Sequence, residues 1–241
     1  MNISKFLILG FATSLLYPPY FFLPLGFIIF PYLCFFIDKK LTDKKNNKIK
    51  IFFYFFLYAI TFFGSLLFWI HNPFLVYEET ENLIYLSIIL IIILSIIFGI
   101  ISMLFIVFNN FIPTLFILPI IFLLTEYFVS ISFYGFPWIT FSLIFSELNL
   151  SLIIIKNFGT FAFSYLILQL FCLPYIFFSN KIKKNYYFFY FIIIIIPFIL
   201  ILFHNSYLND LSEKKDKNLK LELIQLNSLV KKNDFDLKIQ Q

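Results

Sequence analysis

Residues Tyr134–Asn149 read YGFPWITFSLIFSELN and lie between two long apolar runs. Gly135 permits a bend, and Pro137 suits the first turn of a helix that follows it. Such a bend would bring Trp138 to the boundary between acyl chains and headgroups, where tryptophan is enriched in membrane proteins. The stretch therefore predicts a turn and a short helix at one face of a membrane domain. It also carries polar side chains that are unusual in so apolar a chain: Thr140, Ser142, Ser146, Glu147 and Asn149.

The composition places the chain among membrane proteins. Of its 241 residues, 61% are hydrophobic, and the mean hydropathy is +0.94. A soluble domain cannot bury that much apolar surface. The net charge of +5 does not indicate a nucleic-acid partner, because the lysines cluster in short loops beside apolar runs, where membrane topology explains them.

Seven apolar runs predict the architecture. Most of them reach the ~20 residues that a helix needs to cross a hydrocarbon layer of ~30 Å. They should be helices, because an open sheet would leave backbone groups unpaired in lipid. We expect an all-α polytopic membrane protein, with a bundle of about seven transmembrane helices in residues 1–204. The predicted helices cover 6–17, 20–37, 51–70, 83–108, 111–129, 150–178 and 186–204.

The lysine distribution predicts the orientation. The segments 38–50 and 181–184 are rich in lysine, so they should face the cytoplasm. The segments 71–82 and 130–149 carry acids and no lysine, and they should lie on the opposite side. The N-terminus is then cytoplasmic, and the tail 205–241 is extracytoplasmic.

The tail differs in composition from the rest of the chain. Its residues Leu219–Leu226 read LKLELIQL, and this alternation with a period of two predicts a half-buried β-strand. One strand is not stable by itself. Either another chain or the rest of a domain should complete it.

Few side chains could carry chemistry. Glu126 lies towards the outer end of the fifth predicted helix, and acids inside membrane spans are functional by default. The alternative is an interfacial acid that reaches headgroup water. The third predicted helix ends with Trp69, His71 and Asn72, which are also candidates for function. The alternative is that Trp69 belongs to the aromatic belt at the membrane interface and that the two polar residues belong to the adjoining loop. The two cysteines lie inside apolar runs and His71 has no spaced partner, so neither a metal site nor a cofactor is predicted.

At these residues the chain resembles bacterial apolipoprotein N-acyltransferases. In that family a helix with the motif L-T-E-W leads to G-F-P-W, as LTEY at Leu124–Tyr127 leads to Gly135–Trp138 here. The family's third helix ends in a W-I motif, to which Trp69–Asn72 is similar. LELIQLN at Leu221–Asn227 is similar to the V-Q-x-N strand that opens the family's nitrilase-like domain. The resemblance extends over essentially the whole chain in the same order.

The resemblance implies transfer of an acyl chain from a membrane phospholipid to the N-terminal cysteine amine of a diacylglyceryl lipoprotein, in the bacterial inner membrane. It also implies a set of residues lining the lipid access: Glu126, Gly135, Phe136, Pro137, Trp138, Trp69, His71 and Asn72.

Two departures from the family pattern affect the predicted activity. The arginine that usually follows L-T-E-W is absent. The family's Glu–Lys–Cys triad should lie beyond the opening strand, and no Glu or Cys follows Asn227. We therefore expect a short stub of the α/β nitrilase-like domain in 205–241, and neither a catalytic residue nor activity in this chain alone. Three explanations stay open: a split gene whose second chain carries the triad, a decayed gene, or a partial sequence record.

A rival hypothesis is a non-enzymatic multi-pass protein, either a small transporter or an assembly scaffold. A transporter of the common kind should show broken helices in two related halves. The sequence shows no convincing symmetry between halves.

Overall fold

The computed structural model of the chain describes residues 3–42, 48–108, 111–132, 139–178, 190–192 and 195. The regular structure of these residues is entirely helical, which confirms the predicted all-α class. Three short 3₁₀ helices, Leu23–Leu25, Phe68–Leu75 and Phe141–Phe145, lie between the α-helices. The α-helices are α1 Ile3–Ser14, α2 Gly26–Thr42, α3 Lys48–Leu66, α4 Glu78–Glu81, α5 Tyr85–Ser102, α6 Leu104–Phe108, α7 Thr114–Ser132, α8 Asn149–Phe158 and α9 Thr160–Phe178.

Four helical stretches are long and apolar enough to cross a membrane. They are Ile49–Leu66, Glu78–Phe108, Thr114–Ser132 and Thr160–Phe178. Such a set makes this a multi-pass membrane protein. The total of about seven crossings stays a prediction, because the last predicted helix, 186–204, falls mostly outside the described residues.

Prolines move two helix boundaries from the predicted positions. Hydropathy predicts the second helix from Tyr20, but α2 begins at Gly26, after a 3₁₀ turn with Pro24 in its first turn. Proline has no N–H to donate, so it is best tolerated where a helix begins. Hydropathy also predicts that the third helix reaches Ile70. Instead α3 ends at Leu66, and the chain continues as the 3₁₀ helix Phe68–Leu75, which contains Pro73.

A glycine divides the sixth predicted helix, 150–178. Gly159 has a φ of 84°, a conformation that side-chain-bearing residues rarely adopt. It ends the ten-residue helix α8, and the membrane-spanning helix α9 begins at Thr160. The apolar pattern continues through this point, so it does not reveal the break.

Small residues allow the helices to approach closely. A Cβ atom at Gly10 of α1 would lie 2.1 Å from the backbone oxygen of Tyr58 in α3. At Gly99 of α5 it would lie 2.9 Å from the ring of Phe52, also in α3. Lipid tails are as apolar as the helices, so helix association in a membrane depends on such close packing. The absence of a side chain at these two glycines therefore allows α1 and α5 each to pack directly against α3.

A carboxylate joins three helix ends elsewhere in the bundle. Asp38, near the end of α2, accepts hydrogen bonds from the hydroxyls of Thr114 and Tyr175. Thr114 begins α7, and Tyr175 lies in the last turn of α9. This contact ties α2 to α7 and α9.

Candidate functional site

The carboxyl group of Glu126 points into the bundle. The residue lies in the second half of α7 and is only 6% exposed. Its Oε1 atom accepts a hydrogen bond of 2.8 Å from the backbone N–H of Phe141, and Ser164 lies beside the carboxyl group. Its Oε2 atom is buried and has no hydrogen-bond partner within the described part of the chain. An acid that reached headgroup water would be exposed, so the burial argues against the interfacial alternative.

The segment Ile139–Ser142 receives further polar contacts from the bend after α1 and from α9. The hydroxyl of Tyr17 donates to the Ile139 carbonyl at 3.2 Å. The backbone N–H of Ser142 donates to the hydroxyl of Ser164 on α9 at 3.0 Å. All four residues of the segment are at most 4% exposed. The segment that directly follows Trp138 in the chain is therefore held inside the bundle.

The ring of Phe141 lies at the centre of an aromatic cluster. Its centroid is 5.5 Å from that of Tyr17 and 5.3 Å from that of Phe122 in α7. The rings of Phe30 in α2 and Phe62 in α3 lie at 5.7 and 6.4 Å. Pairs at these distances pack favourably beyond the area that they bury. The cluster joins three helices around one side chain of the segment.

A small cavity of about 10 Å³ adjoins the carboxyl group of Glu126. A cavity of this size accommodates about one water molecule. Most of its walls are aromatic rings, and Glu126 and Thr125 supply the polar side chains. The lining residues are Phe62, Phe63, Phe98, Phe122, Thr125, Glu126, Ile139 and Phe141.

The other predicted site residues lie apart from this cavity. Gly135, Phe136, Pro137 and Trp138 fall outside the described residues. The remaining three lie on the 3₁₀ helix Phe68–Leu75 and do not line the cavity. Trp69 and Asn72 are exposed, whereas His71 is half-buried and its Nδ1 atom contacts the carbonyl oxygen of Phe68.

Sequence reasoning does not identify several residues that build the site. Phe141 is one of 39 phenylalanines in the chain, so its central position has no distinctive signal. Tyr17 reads only as the end of an apolar run, and Ser164 as a residue inside one. The sequence offers one clue, which is a serine inside an apolar run. The hydroxyl of such a serine needs a hydrogen-bond partner nearby. Among the described residues, no group of three or more His, Cys, Asp or Glu is placed to hold a metal ion.

The comparison with known families decides what this chain is. The profile of the apolipoprotein N-acyltransferase N-terminal domain matches residues 9–173, well over half of the sequence. The chain belongs to this family. The match confirms the resemblance seen in the LTEY and GFPW motifs. A search of curated proteins found no match.

The matched range of the apolipoprotein N-acyltransferase N-terminal domain contains the whole candidate site. Tyr17, Glu126, Phe141 and Ser164 all lie within residues 9–173. The predicted strand at Leu219–Leu226 lies beyond the match and outside the described residues. The nitrilase-like stub therefore stays a prediction.

Proposed function

We propose that this chain is the membrane part of an enzyme that transfers an acyl chain from a phospholipid to the N-terminal cysteine amine of a diacylglyceryl lipoprotein. The family match over residues 9–173 is the observation that carries the proposal. The chain would present the lipid substrates, and the triad that attacks the acyl ester would come from a nitrilase-like domain, which the family resemblance places after the membrane helices.

The two cysteines of this chain are poorly placed to act as the nucleophile. Acyl transfer through a thioester needs a thiolate that reaches the ester. Cys34 in α2 and Cys172 in α9 are both 0% exposed and are enclosed by the helix bundle. We expect the purified chain to form no acyl thioester. Detection of such an intermediate by mass spectrometry after incubation with phospholipid would contradict the assignment of the nucleophile to the nitrilase-like domain.

The proposed orientation places the lipid access at the outer face of the inner membrane. The lysine-rich segments put the N-terminus in the cytoplasm and the tail in the periplasm. In this orientation the 3₁₀ helix Phe68–Leu75, which follows α3, would lie at the same face as the segment 130–149. This 3₁₀ helix carries large exposed apolar side chains, with Phe68 70% and Trp69 44% exposed. We propose that Gly135–Trp138 and this 3₁₀ helix border the route by which a phospholipid enters.

The burial of Glu126 refines its part in the proposed route. A side chain that is 6% exposed and bonded to the Phe141 backbone has little surface to offer a lipid. We therefore propose that the lipid contacts are made by the segment Gly135–Trp138 and by the exposed aromatic residues.

A photo-crosslinking experiment tests the proposed function. The full chain is reconstituted in vesicles of a phospholipid that carries a photoreactive group on one acyl chain, and labelled peptides are mapped by mass spectrometry. We expect labelling concentrated at 133–138 and 68–75, and a reduction by a diacylglyceryl lipopeptide but not by a lipopeptide without the diacylglyceryl group. Labelling that follows all the lipid-facing helices evenly, such as α5, with no competition by the lipopeptide, would overturn the proposal.

A complementation experiment tests the need for the nitrilase-like domain. Residues 1–241 are expressed in cells depleted of their own N-acyltransferase, with and without a separately expressed nitrilase-like domain. We expect N-acylated lipoprotein only when that domain is present. Equal acylation without it would refute the assignment of the triad to that domain.

A further inference from the structure

A second cavity, of about 200 Å³, lies between α6 and α7. All the side chains that line it are apolar. Its α7 wall is one face of that helix, because the residues are spaced by three, four and seven positions. These residues are Ile117, Ile120, Ile121 and Leu124. The other lining residues are Leu104 and Phe108 of α6, and Ile112. Apolar cavities of this kind stay dry, so the occupant should be apolar as well.

The cavity follows the interruption between α5 and α6. Before the interruption α5 packs directly against α7, with the ring centroids of Phe98 and Phe122 5.0 Å apart. The helix is interrupted at Met103. After it, the buried Phe105 of α6 packs against Phe55 of α3, with ring centroids 5.4 Å apart. This contact holds α6 towards α3, and α6 and α7 face each other across a gap.

The cavity lies on the side of α7 that faces lipid. Two of its lining residues, Phe108 and Leu124, are exposed. The same face of α7 continues as Phe128 and Ile131, four and seven residues after Leu124, and both are exposed. Glu126 follows Leu124 by two residues, which is about 200° around a helix of 3.6 residues per turn. The cavity and the buried Glu126 are therefore on opposite sides of α7.

We propose that this cavity, the α6–α7 groove, binds one acyl chain of a membrane phospholipid. A dry apolar cavity of about 150 Å³ accommodates benzene, so in proportion this one holds about eight carbon atoms. That capacity fits a segment of one hydrocarbon chain. A helix with its side chains is about 10–12 Å across and is too wide to enter. Tyr190, from the last apolar run, contacts Phe116, which lies on another face of α7.

The bound chain would join α6 to α7 by restoring contacts that the lining atoms otherwise lack. In the proposed orientation α7 begins at the cytoplasmic side, and the groove lies nearer to that end of the helix. The lipid then belongs to the cytoplasmic leaflet, whereas the proposed route for the substrate lies at the outer face. The groove is therefore a lipid site separate from the proposed acyl transfer, and its occupancy needs no catalytic activity.

Counting the lipids that stay with the chain tests the proposal. The full chain is purified from cells in a mild detergent, washed, and examined by native mass spectrometry. We expect most copies of the parent chain to carry one phospholipid. Ile120→Trp places a bulky side chain in the groove and should lower that fraction about tenfold, because a side chain and an acyl chain cannot fill the same space.

The matched control is Ile93→Trp in α5. Ile93 is also exposed, but it does not line the groove. This control should retain the lipid as the parent does. The retained phospholipid comes from the cell with the chain and already fills the groove, so it is distinct from the photoreactive lipid supplied in the crosslinking experiment. Either inference can therefore fail while the other stands.

Three results would overturn the proposal. The first is a parent chain that retains no phospholipid. The second is an equal retained fraction in the parent and in Ile120→Trp, or an equal fall in Ile93→Trp, since the lipid would then lie elsewhere. The third is a parent that is dimeric and an Ile120→Trp variant that is monomeric, because a side chain of a second copy would then occupy the groove. If Ile120→Trp does not fold, as judged by size-exclusion chromatography and circular dichroism, Ile112→Phe decides the question in the same assay.

Discussion

Replacing Phe141 with alanine should lower the free energy of unfolding of the bundle by about 2 kcal/mol. In the core of a soluble protein this substitution costs about 3–5 kcal/mol. About 1.5–3 kcal/mol of that is the transfer of the side chain from water, and this part is absent in a membrane, where lipid tails are as apolar as the ring. The remainder is the packing lost around a void. Phe141 is 1% exposed and pairs with rings on three helices, so we expect the void to persist.

The prediction is measured by unfolding the purified chain in mixed micelles with increasing SDS, followed by tryptophan fluorescence. The matched control is Phe177→Ala in α9, because Phe177 is 76% exposed and faces solvent or lipid in both states. It should change stability by less than about 0.5 kcal/mol. If the two variants cost the same amount, the packing of the Phe141 ring does not hold the helices of the bundle together, and its central structural role is refuted.

The same unfolding assay tests four other substitutions. Gly10→Val should abolish folding, because a Cβ atom there would lie 2.1 Å from the Tyr58 carbonyl oxygen. Gly64→Ala, whose nearest neighbour would be 4.0 Å away, should leave stability unchanged or slightly raised; a large loss would contradict the packing argument. Tyr58→Phe removes a 2.6 Å hydrogen bond to Thr13 and should cost about 0.6 kcal/mol, the average for such bonds between membrane helices. Asp38→Ala removes the acceptor that joins α2 to α7 and α9 and should cost about 1.5–3 kcal/mol. A midpoint equal to that of the parent would show that this acceptor contributes nothing to stability.

The family and the fold class are accessible from local sequence. Apolar runs near 20 residues require helices in lipid whatever their partners are. The order of LTEY and GFPW along the chain is enough to suggest the family, which the match over residues 9–173 bears out. Helix ends are harder to predict. Gly159 divides a continuous apolar run, and hydropathy carries no information on a backbone angle of 84°.

The assignment of Glu126 shows the limit of local reasoning. The sequence marks an acid in a membrane helix, and that rarity makes it a candidate. It does not show which way the side chain points or what it binds. The partner is the backbone N–H of Phe141, fifteen residues away and in a different element. Backbone groups are identical at every position, so no residue type in the sequence could have indicated this contact.

The amino-acid sequence by itself determined that this protein is a helical membrane protein of a particular family. Composition and motif order can be read along the chain, and they do not depend on how the helices pack. Only the tertiary structure decided which polar groups meet. Tyr17, Glu126 and Ser164 converge on the segment Ile139–Ser142 from three separate parts of the chain. That convergence depends on how α7 and α9 pack, and packing is a property of the whole bundle.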